Sequence, residues 1–304
     1  MTKKKIFTIG FELPEGDFQN IPFDSNQSLL DADIILYKVG FGDHYANEYY
    51  QGEPLFDKYE SVRVANNLQH WRTELVTATN AAKLVIVFLA KPFNYFRYTG
   101  EQSFSGTGRS RVTTNLVTQV ESYTAVPNIT SVEPKSGSEV RLTKEGSYLA
   151  PYWKEFEEYS EYEAFIKGKF SYVLLKTKTG NKIVAAAVQS KGILLFLPPL
   201  RYDVDKFVKY DSKKDEEYWT AEAVKFSKHL ATTLVALSNS ILSGRLITPP
   251  PQWAFDSVYA TREEGAFHHE IVKVSEKISK LQKQRTELEE RFNEAGLIRA
   301  LLYL

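Results

Sequence analysis

Four sets of residues carry side chains whose types and spacing could do chemistry. The tract Ser105-Gly106-Thr107-Gly108-Arg109-Ser110-Arg111 combines glycines, which allow close backbone approach, with two arginines that would supply charge to an anion. Gly106, Gly108, Arg109 and Arg111 are therefore the candidate anion-binding residues. The tract lacks the Walker spacing and completes no Gly-x-Gly-x-x-Gly, so a surface loop of the same composition is the other reading. His44 with Glu48, and His70 with Glu74, stand four residues apart, and on a helix each pair would face one side and could share a metal. Neither has the further ligand of His-Glu-x-x-His, and no metal site is assigned. Asp203 and Asp205 follow Pro198-Pro199 at the carboxyl end of an expected strand, where α/β sheets place ligands. His44 and Asp203 are the candidate crevice residues. The Asp31/Asp33 pair reads instead as solvated turn residues flanking a strand.

What the chain lacks narrows the chemistry further. Its 304 residues include no cysteine, which removes disulfides, thiolate metal centres and a cysteine nucleophile together. There is no Gly-x-Ser-x-Gly elbow, so serine hydrolase chemistry of that type has no nucleophile in place. No catalytic residue is assigned, no cofactor is expected, and the balance leans away from an enzyme. Lys+Arg and Asp+Glu both number 38, so charge gives no indication of nucleic acid as a partner. The longest apolar runs, Leu84 to Ala90 and Ile193 to Leu200, fall far short of the ~20 residues a membrane span needs. Lys3-Lys4-Lys5 and the apolar residues after it are cut short by Glu12, Pro14, Glu15 and Asp17, which reads as a first strand rather than a signal peptide. A cytoplasmic protein is expected.

The elements that must position these residues follow from apolar patterning. Lys5 to Phe11, Asp33 to Val39 and Lys83 to Leu89 are short and continuously apolar, as parallel strands buried on both faces should be. Between the last two, Leu55, Tyr59, Val62, Leu68, Trp71 and Leu75 recur at roughly helical spacing within 53–79, completing a βαβ unit. The pattern breaks down over 91–120, which reads as loop, and 148–166 reads as a helix with an aromatic face. Tyr172 to Thr177, Ile183 to Val188 and Gly192 to Leu197 read as three strands, the first two joined by a hairpin at Lys178-Thr179-Gly180-Asn181. They would extend the parallel sheet antiparallel. Tyr218 to Leu242 reads as an amphipathic helix closed by Gly244.

The expected organisation is an α/β domain over 1–245, a Pro-rich linker over 246–266 and a coiled-coil arm over 267–304. A heptad runs from 271 to 302, with interface positions at Ile271, Val274, Ile278, Leu281, Leu288, Phe292 and Leu302. Lysines fill its first half and glutamates its second, which opposes the helix macrodipole. Antiparallel pairing with a second copy would set basic half against acidic half, so a homodimer or a protein partner through the coil is expected.

The Asp33 to Val39 strand followed by Gly40-Phe41-Gly42, and then Lys83 to Leu89, resembles the flavodoxin-like core of class I glutamine amidotransferase-like proteins, including the ThuA-like group. The resemblance implies a flavodoxin-like parallel sheet over 1–245. It carries no amidotransferase chemistry, because the position after the third strand reads Leu89-Ala90-Lys91-Pro92-Phe93 and the chain has no cysteine. The stretch from Gly192 to Pro199, then Pro249-Pro250-Pro251-Gln252-Trp253, then the coil ending at Leu297 to Tyr303, resembles a set of uncharacterised bacterial proteins. In those the coil leads into a further α/β region, sometimes nuclease-like. That resemblance implies a shortened member or the amino-terminal part of one, and no established activity. The leading reading is a non-catalytic scaffold or sensor that pairs through the coil, and the resemblance extends it to a bacterial defence or nucleic-acid-processing assembly. The alternative is a ligand-binding or hydrolytic enzyme using the crevice at the strands' carboxyl ends.

Overall fold

The computed structural model describes residues 4–14, 16–42, 44–134, 139–146, 164–200, 207–212 and 214–242, with Val274, Lys277, Lys280, Leu281 and Gln284 beyond them. The chain divides into two compact units, 1–247 and 248–304.

In the first unit, strands β1 (Ile6–Ile9), β2 (Phe18–Ile21) and β3 (Ile34–Lys38) are followed by the short β4 (Glu48–Tyr50) and β5 (Glu53–Leu55). Helix α1 (Lys58–Asn80) leads into β6 (Leu84–Phe88) and then a long hairpin, β7 (Asn94–Ser105) and β8 (Val112–Glu121). After it come β9 (Ile129–Pro134), β10 (Val140–Leu142), β11 (Ala164–Gly168), β12 (Tyr172–Thr177), β13 (Ile183–Gln189) and β14 (Ile193–Leu197). A small ribbon, β15 (Val208–Asp211) and β16 (Glu216–Trp219), precedes helix α2 (Ala221–Leu242).

The main sheet has ten strands, with the path β10-β12-β13-β14-β6-β3-β1-β2 and with β9 and β11 branching from β13. From β2 to β14 all neighbours are parallel, and from β14 to β10 they are antiparallel. The expected α/β sheet with an antiparallel extension is what the chain forms. Its parallel strands alternate between two cores. Ile34, Leu36, Leu84 and Ile86 pack with Phe226, Leu230 and Leu234 of α2, while Ile35, Tyr37, Val85 and Val87 pack with Leu68, Trp71 and Leu75 of α1. With a helix on each face, both sets of alternating side chains leave water, which is why these strands read as unbroken apolar runs. Among the described residues no helix is long and apolar enough to cross a membrane.

Four expectations change. The stretch 91–120, expected to be loop, forms the β7–β8 hairpin, whose residues beyond Tyr98 are exposed on both faces and so show no apolar alternation. The helix expected over 148–166 ends instead in strand β11, with 148–163 outside the described residues. The helices expected from 53 and from 218 begin at Lys58 and Ala221, after β5 and β16. Gly244, the linker and most of the heptad lie outside the described residues. Val274 and Leu281 are helical and more than half exposed.

On the β9–β11–β13 side, the Glu133 carboxylate accepts from the ammonium groups of Lys167 and Lys182. These partners favour its charged form and hold its pKa down to about 2. A depressed carboxylate stabilises the fold above the ordinary glutamate range and loses that contribution as pH falls through its folded value. The parent should therefore lose more stability than Glu133→Gln when urea midpoints are followed down to about pH 2. Equal acid slopes for the two would refute the linkage.

Candidate functional site

A cavity of about 260 Å³ is lined by Phe23, Asp24, His44, Tyr45, Asn47, Asp57, Glu60 and Arg63. The fold brings these together from three places. Phe23 and Asp24 follow the carboxyl end of β2, His44, Tyr45 and Asn47 follow that of β3, and Asp57, Glu60 and Arg63 open α1. Carboxyl ends of parallel strands are where open α/β sheets leave a crevice.

Local chemistry fixes each contributor. Asp57 caps α1, its Oδ1 accepting the Glu60 backbone N–H at 2.8 Å. The spacing Asp57-x-x-Glu60 is that of a capping box, yet the Glu60 side chain turns into the cavity rather than back to the cap. The loop after β3 closes over Phe23 at Gly42, which has φ +58° and whose Cβ, if present, would lie 2.3 Å from that of Phe23. Only glycine fits there. Phe23 is held from beneath, where Trp71 Nε1–H donates to its carbonyl at 2.7 Å.

The polar side chains form a chain of contacts. His44, 9% exposed, meets Glu60 Oε2 through Nδ1 and Asn67 Nδ2 through Nε2 at 3.0 Å. The other Glu60 oxygen accepts from Arg63 Nη1 at 2.6 Å, and Arg63 Nη2 donates to Asp24 Oδ2 at 2.9 Å. With Asn67 donating, the neutral ring carries its proton on Nδ1. Both His44 ring nitrogens are engaged, so the imidazole has no lone pair or proton aimed at a ligand, and each Glu60 oxygen already accepts one hydrogen bond. The cavity can hold a small polar molecule between Asp24, Asn47 and Tyr45. It could use His44 as a base or metal ligand only by breaking this network.

Of the candidate residues, His44 lines the cavity and Asp203 lies outside the described residues. Gly106, Gly108, Arg109 and Arg111 sit at the tip of the β7–β8 hairpin and do not line it. Their glycines serve the turn, since Gly106 has φ +78° and a Cβ there would lie 2.4 Å from the Ser110 carbonyl oxygen. The Arg111 guanidinium stacks 4.0 Å from the centroid of Phe104. His44 and Glu48 are on loop and strand rather than helix, and Glu48 accepts from the Tyr98 hydroxyl. Glu74 is taken by the Leu29 N–H at 2.6 Å and by Ser28, so it is spent on a turn rather than paired with His70. Among the described residues no group of three His, Asp or Glu could hold a metal.

The fold and cleft define an α/β domain with a mixed sheet and a polar crevice at the ends of β2 and β3. No family model, curated protein or solved structure matches the chain.

Proposed function

We propose that this chain is a non-catalytic scaffold or sensor module that self-associates, or binds a protein partner, through its C-terminal heptads. The observation that carries this reading is the closed network in the crevice. The histidine and glutamate best suited to chemistry there are spent on each other, on Asn67 and on Arg63. The helical, exposed Val274 and Leu281 occupy d positions of the heptad and support its role as the contact. The parallel order β2-β1-β3-β6-β14, read with these five strands renumbered in sequence, is the 2-1-3-4-5 of flavodoxin-like sheets, which supports that finer reading of the fold. Placement in a bacterial defence or nucleic-acid-processing assembly rests on the resemblance alone.

Light scattering coupled to size exclusion tests the coil. The parent should show a mass that rises with concentration, and Val274→Asp with Leu281→Asp should lower it. A parent mass independent of concentration, unchanged by the pair, would overturn self-association through the coil. A second reading, a ligand-binding or hydrolytic enzyme, is favoured by the cavity's position. A melting temperature raised by a nucleotide or divalent metal, and no longer raised in Asp24→Ala, would move the assignment to that reading.

A further inference from the structure

Strand β8 is the outermost strand of the four-stranded sheet β4-β5-β7-β8, and among the described residues its far edge pairs with nothing. The polarity of that edge follows from the register. Ser122 N–H donates to the Phe93 carbonyl, and the β7–β8 pairs then run Tyr95↔Val120 and Arg97↔Thr118. Even-numbered residues of β8 thus turn their backbone groups to β7, and Thr113, Asn115, Val117 and Gln119 turn theirs to the open edge.

The edge lacks the devices that normally blunt one. From Val112 to Gln119 it has no charge, no proline and no glycine, and it is mostly Val, Leu and Thr. The opposite edge of the same ribbon is blunted. Strand β7 pairs with β5 at Leu55↔Phe96, and its register shifts between Tyr98 and Gln102, where Gly100 has φ +85° and Glu101 adds charge. A two-stranded ribbon standing in water is marginally stable by itself, so this hairpin gains from a third strand.

The sequence of β8 says which strand. Val112-x-Thr114-x-Leu116-x-Thr118-x-Val120 reads the same in both directions about Leu116. We propose that β8 pairs antiparallel with β8 of a second copy about a two-fold axis through Leu116, joining the two four-stranded sheets into one. In this register Leu116 meets Leu116, Thr114 meets Thr118 and the exposed Val112 falls beside Val120, whose own side chain is buried in the core that includes α1. The outward groups of Thr113 and Asn115 pair with those of Gln119 and Val117. Arg111, extended at the head of the strand, falls opposite Glu121 of the second copy, an opposite-charge pair made twice. A shift of two residues either way sets Arg111 against Gln119 or Tyr123 and loses both the charge pair and the like-with-like matching. This surface is independent of the heptads, and a chain with both would link copies into larger assemblies.

The absence of native cysteine makes the test clean. A non-hydrogen-bonded antiparallel pair brings its Cα atoms to about 4.5 Å, within the ~4.4–6.8 Å a disulfide spans. Full-length Leu116→Cys, treated with oxidised glutathione, should form at least about tenfold more disulfide-linked dimer than Thr114→Cys, whose two copies stand four residues out of register. Leu116→Lys and Leu116→Glu should each associate less than the parent and recover association when mixed, which a folding defect would not do. Equal cross-linking at 116 and 114, or none at 116, would overturn the pairing. Loss of mass in the Val274/Leu281 pair with cross-linking at 116 retained would separate this surface from the coil.

Discussion

Replacing Trp71 with alanine should lower unfolding stability by about 4 kcal/mol, the largest effect of any single side chain considered. Trp71 is fully buried on the middle of α1, among Leu68, Leu75 and the alternate residues of β3 and β6. Removing the indole leaves a void against strands whose other face is already packed by α2, so neither layer can move in to fill it. The indole N–H also holds the Phe23 carbonyl, and Phe23 in turn forms the wall on which Gly42 closes. The loss should therefore reach the crevice, moving the backbone amide signals of Asp24 and His44 as well as the urea midpoint. Trp71→Phe keeps most of the volume but leaves the carbonyl unpaired, and should cost about 1–2 kcal/mol. A Trp71→Ala loss below about 1 kcal/mol would mean that α1 is not docked by this face.

The parallel half of the fold was legible because two helices bury both faces of its strands. Five residues such as Leu84 to Phe88 must then all be apolar, and a run of that kind stands out. Strand β2 offered no such signal. Its Gln19 and Asn20 are polar, and Asn20 earns its place by accepting from Thr8 Oγ1 and from the Leu13 N–H. The β7–β8 hairpin was illegible for the opposite reason, since beyond Tyr98 its strands are largely exposed on both faces and carry no period that separates inside from outside. Its composition of Gly, Ser and Thr reads as loop, and it is the pairing of two distant backbones that makes it a sheet. The site was legible in one residue. His44 was visible, but its partners Glu60 and Asn67 lie 16 and 23 positions on, across a turn and into a helix. The spacing to Glu48 pointed elsewhere because it presumed helix where the chain forms loop and strand. The usable signal was the Asp57-x-x-Glu60 cap with Arg63 and Asn67 following at three and seven positions, which sets three polar side chains on one face of α1 just where the chain enters it.

Removing Glu60 should be the most damaging change within the crevice. Glu60→Ala should cost about 2–3 kcal/mol, read as a shift in urea midpoint, because of its two partners the deletion strands the buried one. Arg63 keeps Asp24 and can turn toward water, being itself half exposed. His44 cannot, since its side chain is 5% exposed and ringed by Phe23 and Asn67. An imidazole N–H left without an acceptor at that depth carries most of the loss. Two further variants separate this from a simple loss of packing. Glu60→Gln retains one carbonyl oxygen, which can serve His44 or Arg63 but not both, and should recover about half of the stability. In His44→Leu the buried ring no longer asks for an acceptor, so adding Glu60→Ala to it should cost about 1 kcal/mol or less. If the two losses simply add, His44 and Glu60 are not coupled, and the closed network that argues against chemistry in this crevice does not hold in solution.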